Sequence, residues 1–351
     1  MAQLFSTAGQ GMTSEVDFDA EGKQCGYLRL PHSVHRSAYG WIPVPVASIR
    51  NGPGPVVLVM GGNHGDEYEG QLIVSRLIRE IDPSRVQGQL ILLPMANLPA
   101  AKAGLRTSPI DGGNLNRLFP GNPAGSITEV LGSYIEQALL TRADLLLDLH
   151  SGGSSLVYHG SLAMAGAASD EEEDARLRPL LRALGARYTC LLKQLNPRTI
   201  LGAARRQNCM GLVLEIGGGG QVSRPDLEES WHGVRRTLIA SGVLHGEPAA
   251  PASAGHWVDL AFGADSCNVF ARSAGLFEPL VGLGDTVQAG QTAARIHDPS
   301  APHREPELVH FEAAGTVVCQ RVPALTEVGD CLFQVASISG PLQGIERIEE
   351  K

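Results

Sequence analysis

The sequence predicts an α/β protein with a mostly parallel sheet covered by helices on both faces, followed by a smaller all-β domain of barrel-sandwich type. Three observations predict it. Short apolar runs alternate with helical stretches from about residue 54. Those runs are Leu- and Val-rich and bounded by Gly, Pro or Asn, as strands buried on both faces are. After a Gly-, Pro- and Ala-rich stretch at 246–255, helical periodicity fades into short strand-like pieces.

The elements follow in order. Residues 1–53 form an N-terminal segment that is partly β. VVLVM (56–60) is the first buried strand, and EGQLIVSRLIREI (69–81) is a helix that sets Leu72, Ile73, Leu77, Ile78 and Ile81 along one side. LILLPM (90–95) is the next strand, and ITEVLGSYIEQALL (127–140) repeats the helical period. LLLDLH (145–150) and GLVLEIG (211–217) are further strands; DEEED (170–174) between them is a solvated helix start or loop. Residues 54–245 therefore form an α/β domain, 246–255 a linker and 256–340 a β-rich domain. In the last, GLFEPLVGLGDTVQAGQTAARI and FEAAGTVV resemble the hairpins of lipoyl and biotinyl carrier domains, yet no lysine lies between Lys193 and Lys351 to carry a prosthetic group. What stays is a barrel-like fold, expected to cap the active site or build a subunit interface, which leaves a homo-oligomer open.

Composition narrows the partners. The chain has 351 residues, 43% of them hydrophobic, and a net charge of -9 with only four lysines, so it lacks the basic face that a phosphate backbone needs. No nucleic acid is expected. No apolar stretch approaches the roughly 20 residues of a bilayer span, so no membrane is expected either. The six scattered cysteines contain no CxxC pair, which reads as reduced thiols in a cytoplasm.

In parallel sheets ligands sit beyond the carboxyl ends of the strands. His64 and Glu67 follow VVLVM, His150 ends LLLDLH, and Glu215 falls near the end of GLVLEIG. His64-x-x-Glu67 offers two metal ligands one turn apart, and His150 a third, the number a catalytic zinc takes while leaving a position for water. In DGGNLNRLFPG (111–121), Asn116 and Arg117 offer an amide and a planar fork suited to a carboxylate, although Asp, Gly and Asn also simply favour turns. Arg106 adds another cation. Burial of Glu215 would raise its pKa and suit it to proton transfer, whereas a solvated glutamate would stay ordinary.

GGNHGDE, NLNRLFPG, DLHSGG and LEIGGGG, in this order within roughly residues 55–335, resemble the succinylglutamate desuccinylase and aspartoacylase family, relatives of the zinc carboxypeptidases. The resemblance implies a zinc-carboxypeptidase-like α/β domain with a β-rich carboxyl-terminal domain, and one zinc per chain held by His64, Glu67 and His150. It implies hydrolysis of a small N-acyl amino acid, with Glu215 as catalytic glutamate, Asn116 and Arg117 on the substrate carboxylate and Arg106 polarising the scissile carbonyl. The longer motif forms most resemble the branch that deacetylates N-acetyl-2,4-diaminobutyrate. In two respects the chain departs from the aspartoacylases: Arg106 lies further from Arg117, and no tyrosine follows Tyr188. Arg205 and Arg206, ten and nine residues before Glu215, stand near where aspartoacylases carry an arginine for a second substrate carboxylate. Arg205 is the expected substrate contact, with a surface position as its alternative. A zinc carboxypeptidase and a non-catalytic binding protein of the same fold are the other functions considered.

Overall fold

A computed structural model describes residues 5–6, 11–247, 254–260 and 267–343. Residues 248–253 of the expected linker lie outside the described residues.

The N-terminal segment supplies a short pair, β1 (Phe5–Ser6) and β2 (Thr13–Ser14), and a long hairpin, β3 (Gly22–Pro31) and β4 (Trp41–Asn51). The central strands are β5 (Val56–Gly61), β6 (Gly88–Leu93), β7 (Leu145–His150) and β10 (Met210–Gly218), which run parallel in the order β6-β5-β7-β10. β6 and β7 are buried throughout, which is why they read as unbroken apolar runs.

Around this centre the sheet is mixed. β4 joins β6 antiparallel on one side, and β8 (Leu156–Gly166) joins β10 antiparallel on the other, followed by β9 (Tyr188–Leu192) parallel to β8. Between β7 and β8 only residues 151–155 intervene, too few for the crossover that parallel strands require, so the chain must reverse. It does so at Gly153, whose φ of 57° and contact with the Asp66 carboxylate leave no room for a side chain.

Helices cover both faces. Along β5, Val57 and Val59 turn to one core while Leu58 and Met60 turn to the other. The first core packs under α1 (Tyr68–Glu80), α4 (Glu171–Leu184) and α6 (Arg224–Ala240). The second packs under α2 (Leu98–Ala103), α3 (Ile127–Tyr134) and α5 (Ile200–Arg206). In α1, Ile73, Val74 and Leu77 are buried, whereas Leu72, expected on the apolar side, is 41% exposed. The buried stripe runs from Glu69 and Gly70 through 73, 74 and 77, and Leu72 falls outside it. α3 starts at a capping box of Ser126 and Glu129 and gives way at Ile135 to a π turn and then a 3-10 turn, so the expected helix 127–140 is not one regular cylinder. The acidic run is the start of α4: Asp170 caps it, and the carboxylates of its first turn face the positive end of the helix dipole.

Beyond residue 255 the chain is β. β11 (His256–Asp259) adds to β9, and β19 (Cys331–Pro341), β17 (Gly315–Arg321) and β14 (Thr286–Val287) continue the same sheet, with β12 (Asn268–Phe270) on β19. A second sheet of β16 (Glu307–His310), β15 (Thr292–His297), β13 (Gly275–Pro279) and β18 (Leu325–Thr326) closes over it. Phe277, Phe311 and Phe333 fill the space between, with ring centroids 5.5 and 5.6 Å apart at Phe333. β17 also pairs with β8, so the β-rich part is fastened to the catalytic sheet by a strand. Among the described residues, no helix is long and apolar enough to cross a membrane.

Candidate active site

His64 and Glu67 come from the turn after β5, a turn pressed against α2 so closely that a side chain at Gly65 would collide with the Ala100 carbonyl. His150 comes from the last position of the neighbouring β7. One ring nitrogen from each histidine and a Glu67 carboxylate oxygen lie within 4.8 Å of one another, all three residues being buried. His64 Nδ1 is 2.7 Å from Glu67 Oε1, and His150 Nδ1 is 2.7 Å from Glu67 Oε2.

The far side of each ring is held as well. His150 Nε2 is 2.7 Å from Asp148 Oδ2, and His64 Nε2 is 3.1 Å from Asn114 Oδ1. Asn63 donates to the same Asp148 oxygen at 2.9 Å, while Asp66 accepts from the backbone and hydroxyl of Ser154 at 2.8 and 2.7 Å. The polar crowd in GGNHGDE thus divides: His64 and Glu67 face the site, and Asn63 and Asp66 tie the turn to β7 and to the loop behind it. Asp148 and Asn114 were not anticipated as ring supports. The signal for Asp148 is its spacing, because residues i and i+2 of a strand share a face.

These contacts set the protonation. Burial pushes the Glu67 carboxyl up, but the charges of His150 and His64 outweigh it and hold its pKa well below the usual range. Burial opposes charge on His150, yet Asp148 and Glu67 on either side hold its pKa well above the ordinary value. For His64 burial wins, and its pKa falls. A buried carboxylate bridging two imidazole Nδ1 atoms, each ring fixed from behind, is a donor set that fits one divalent cation.

A cavity of 620 Å³ opens on this cluster and brings together Arg106, Asn116, Arg117 and Glu215. Arg106 donates to Glu67 Oε1 at 3.2 Å. The Asn116 side-chain oxygen accepts from the Ile200 backbone at the start of α5, 2.8 Å away, which turns its NH2 group to other partners. Arg117 is an exposed cation whose pKa is lowered by burial of part of its side chain and by nearby Arg106. Glu215 stands on β10 directly beside His150 in register. Burial is the main cause of its raised pKa, about 8.

Arg205 is the correction. It does not line this cavity; its guanidinium donates to the Ala167 carbonyl at 2.9 Å and pairs with Glu173 at 3.4 Å. Arg206 makes a two-pronged pair with buried Glu136 at 3.0 and 2.8 Å. α5 points its N-terminal residues Ile200 and Leu201 at the cavity, and the arginines lie a turn further on, where they fasten the helix to its neighbours. The cavity wall mixes apolar Met164, Leu192, Leu195, Leu201 and Val213 with polar Gln194, Asn196 and Thr199. The β-rich part was expected to cap the site or build a subunit interface, but every residue lining the cavity falls between 64 and 215. Tyr158, which does line it, was also not anticipated.

The succinylglutamate desuccinylase/aspartoacylase catalytic-domain model matches residues 53–240. The chain is 37% identical over 328 residues to N-alpha-acetyl-L-2,4-diaminobutyric acid deacetylase of Halomonas elongata, covering 93% of this chain and 95% of that protein. Its fold is similar to the product-bound ectoine utilization protein EutE (DoeB) of Ruegeria pomeroyi, with a TM-score of 0.88 and 35% identity over 93% and 99% of the two chains. A succinylglutamate desuccinylase/aspartoacylase from Rhodobacter sphaeroides gives a TM-score of 0.86 and 32% identity, again over 93% and 99%.

Proposed function

The chain belongs to the succinylglutamate desuccinylase/aspartoacylase family and is an amidohydrolase of N-acyl amino acids, and from that premise we propose that its own substrate is N-α-acetyl-2,4-diaminobutyrate. The observation that carries the choice is the position of Arg205. With Arg205 turned to Ala167 and Glu173, the cations lining the cavity are Arg106 and Arg117. One carboxylate is accommodated there; the second carboxylate of an acyl aspartate or glutamate would find no further guanidinium among the lining residues. The similarity to the Halomonas elongata deacetylase supports the same reading.

We assign His64, Glu67 and His150 to a zinc ion, because two imidazoles and one carboxylate form the donor set of a catalytic zinc site. When bound, that ion polarises a carbonyl and lowers the pKa of water. The remaining chemistry belongs to the chain. Arg117 and the NH2 of Asn116 hold the substrate α-carboxylate and fix the amide in the cavity. Glu215 takes a proton from the attacking water as the new C–O bond forms. It then gives that proton to the nitrogen as the C–N bond breaks, releasing acetate and a free α-amine. Burial raises the Glu215 pKa, which makes its carboxylate a stronger base toward that proton than a solvated glutamate. Arg106, beside Glu67, is placed to steady charge on the acyl oxygen.

The six cysteines are unpaired and four are buried, which fits a reducing compartment such as the cytoplasm. The test of substrate is amine release from N-α-acetyl-diaminobutyrate, N-acetyl-aspartate and N-succinyl-glutamate. The first should give a kcat/KM at least tenfold above the other two. Preference for either acidic substrate would overturn the assignment.

A further inference from the structure

We propose that Tyr158 is a catalytic hydrogen-bond donor whose hydroxyl meets the acyl carbonyl oxygen of the substrate as that oxygen gains negative charge. The inference rests on the deacylase reading of the site and adds to it a residue contributed by β8.

The cavity places the side chain. Leu162 of β8 lies opposite Glu215 of β10, and Met164 opposite Val213; between Ser161 and Val157 a bulge at Gly160, with φ of 75°, breaks the alternation of β8 and re-aims Tyr158. Tyr158, Met164, Val213 and Glu215 all line the cavity. Tyr158 is 8% exposed, and its hydroxyl hydrogen-bonds the Cys319 thiol. Sulfur is a weak acceptor, so a substrate oxygen would be the stronger partner for that hydroxyl.

Burial, then the neighbouring Glu215, Cys319 and Glu67, hold the phenol pKa well above its ordinary value. Tyr158 shares the cavity with His64, Glu67, His150 and Glu215, the groups among which the substrate amide would react. The phenol there is neutral, protonated and preorganised. Its back is set by the β-rich part of the chain: Cys319 of β17 lies directly opposite Tyr158 of β8, its thiol beside the hydroxyl. A thiol is a weak partner and leaves the phenol proton available.

Tyr158→Phe removes the hydroxyl and little else. For the N-acyl amino acid that the wild type turns over best, kcat should fall at least tenfold while KM stays within threefold, with metal content and melting temperature unchanged. The dissociation constant of an N-methylphosphonyl amino acid, which mimics the tetrahedral intermediate, should rise by a similar factor, whereas that of the product amino acid should not. A kcat within twofold of wild type, or a loss confined to KM, would overturn the role. Tyr158→Trp, should Phe prove unstable, also lacks the hydroxyl and must show the same phosphonate loss. A wild type that turns over no N-acyl amino acid would overturn the deacylase reading, and the phosphonate comparison would still decide Tyr158.

Discussion

Glu215 and His150 sit side by side at the ends of two parallel strands, in register, one from β10 and one from β7. The pairing puts the proposed proton carrier next to a member of the proposed ligand cluster without any loop to position it. Glu215→Gln keeps the shape and removes the basic oxygen. Its kcat should fall by roughly 100-fold or more at unchanged metal content. Near-normal turnover would remove Glu215 from the chemistry.

A pH dependence of stability follows in the metal-free protein. Folding raises the Glu215 pKa from 4.5 to about 8, so between those values the native state holds a proton that the unfolded chain has released. Its contribution is complete below pH 4.5 and is lost as pH rises toward 8. Melting temperatures of the metal-free wild type and Glu215→Gln should therefore diverge between pH 5 and 8, the variant gaining relative to wild type. A constant difference would mean that the native carboxyl is not proton-loaded.

Asp148 holds His150 Nε2 at 2.7 Å and is itself held by Asn63. Asp148→Asn should weaken zinc binding roughly 10- to 100-fold, as loss of a carboxylate behind a ligand histidine does. Chelator competition measures it, and unchanged affinity would show that His150 needs no such support.

Arg117 offers the cavity an exposed fork. Arg117→Ala should raise KM roughly tenfold or more for an N-acetyl amino acid. For the corresponding carboxamide, which has no α-carboxylate, KM should stay nearly constant. Equal effects on both would place the carboxylate elsewhere.

Arg205 pairs with Glu173 near the surface, where such contacts are worth roughly 0.2–1 kcal/mol. Arg205→Glu should leave the ratio of kcat/KM between N-acetyl-diaminobutyrate and N-acetyl-aspartate unchanged. A shift of fivefold or more would restore Arg205 as the selector.

The sequence by itself determined the strands and the groups at their ends. Apolar runs as uniform as LLLDLH read as strands because burial on both faces leaves no polar position, and His64, Glu67, His150 and Glu215 stand out as ionisable groups beside those runs. Such information is local. Tertiary structure decided which of these groups meet. It set β10 beside β7 and so Glu215 beside His150, though 64 residues separate them in the chain. It brought Arg106 and Arg117 to one cavity with Glu215 despite their distance from it in sequence, and sent Arg205, far closer to Glu215 in sequence, to Glu173. The reason is that a helix end fixes direction only after it is docked: α5 packs by Ile200, Leu201, Ala203 and Ala204, and that packing aims its last turn away from the site. Likewise the reversal at residues 151–155 and the pairing of β17 with β8 brought Tyr158 and Cys319 together, a long-range contact that no local pattern encodes.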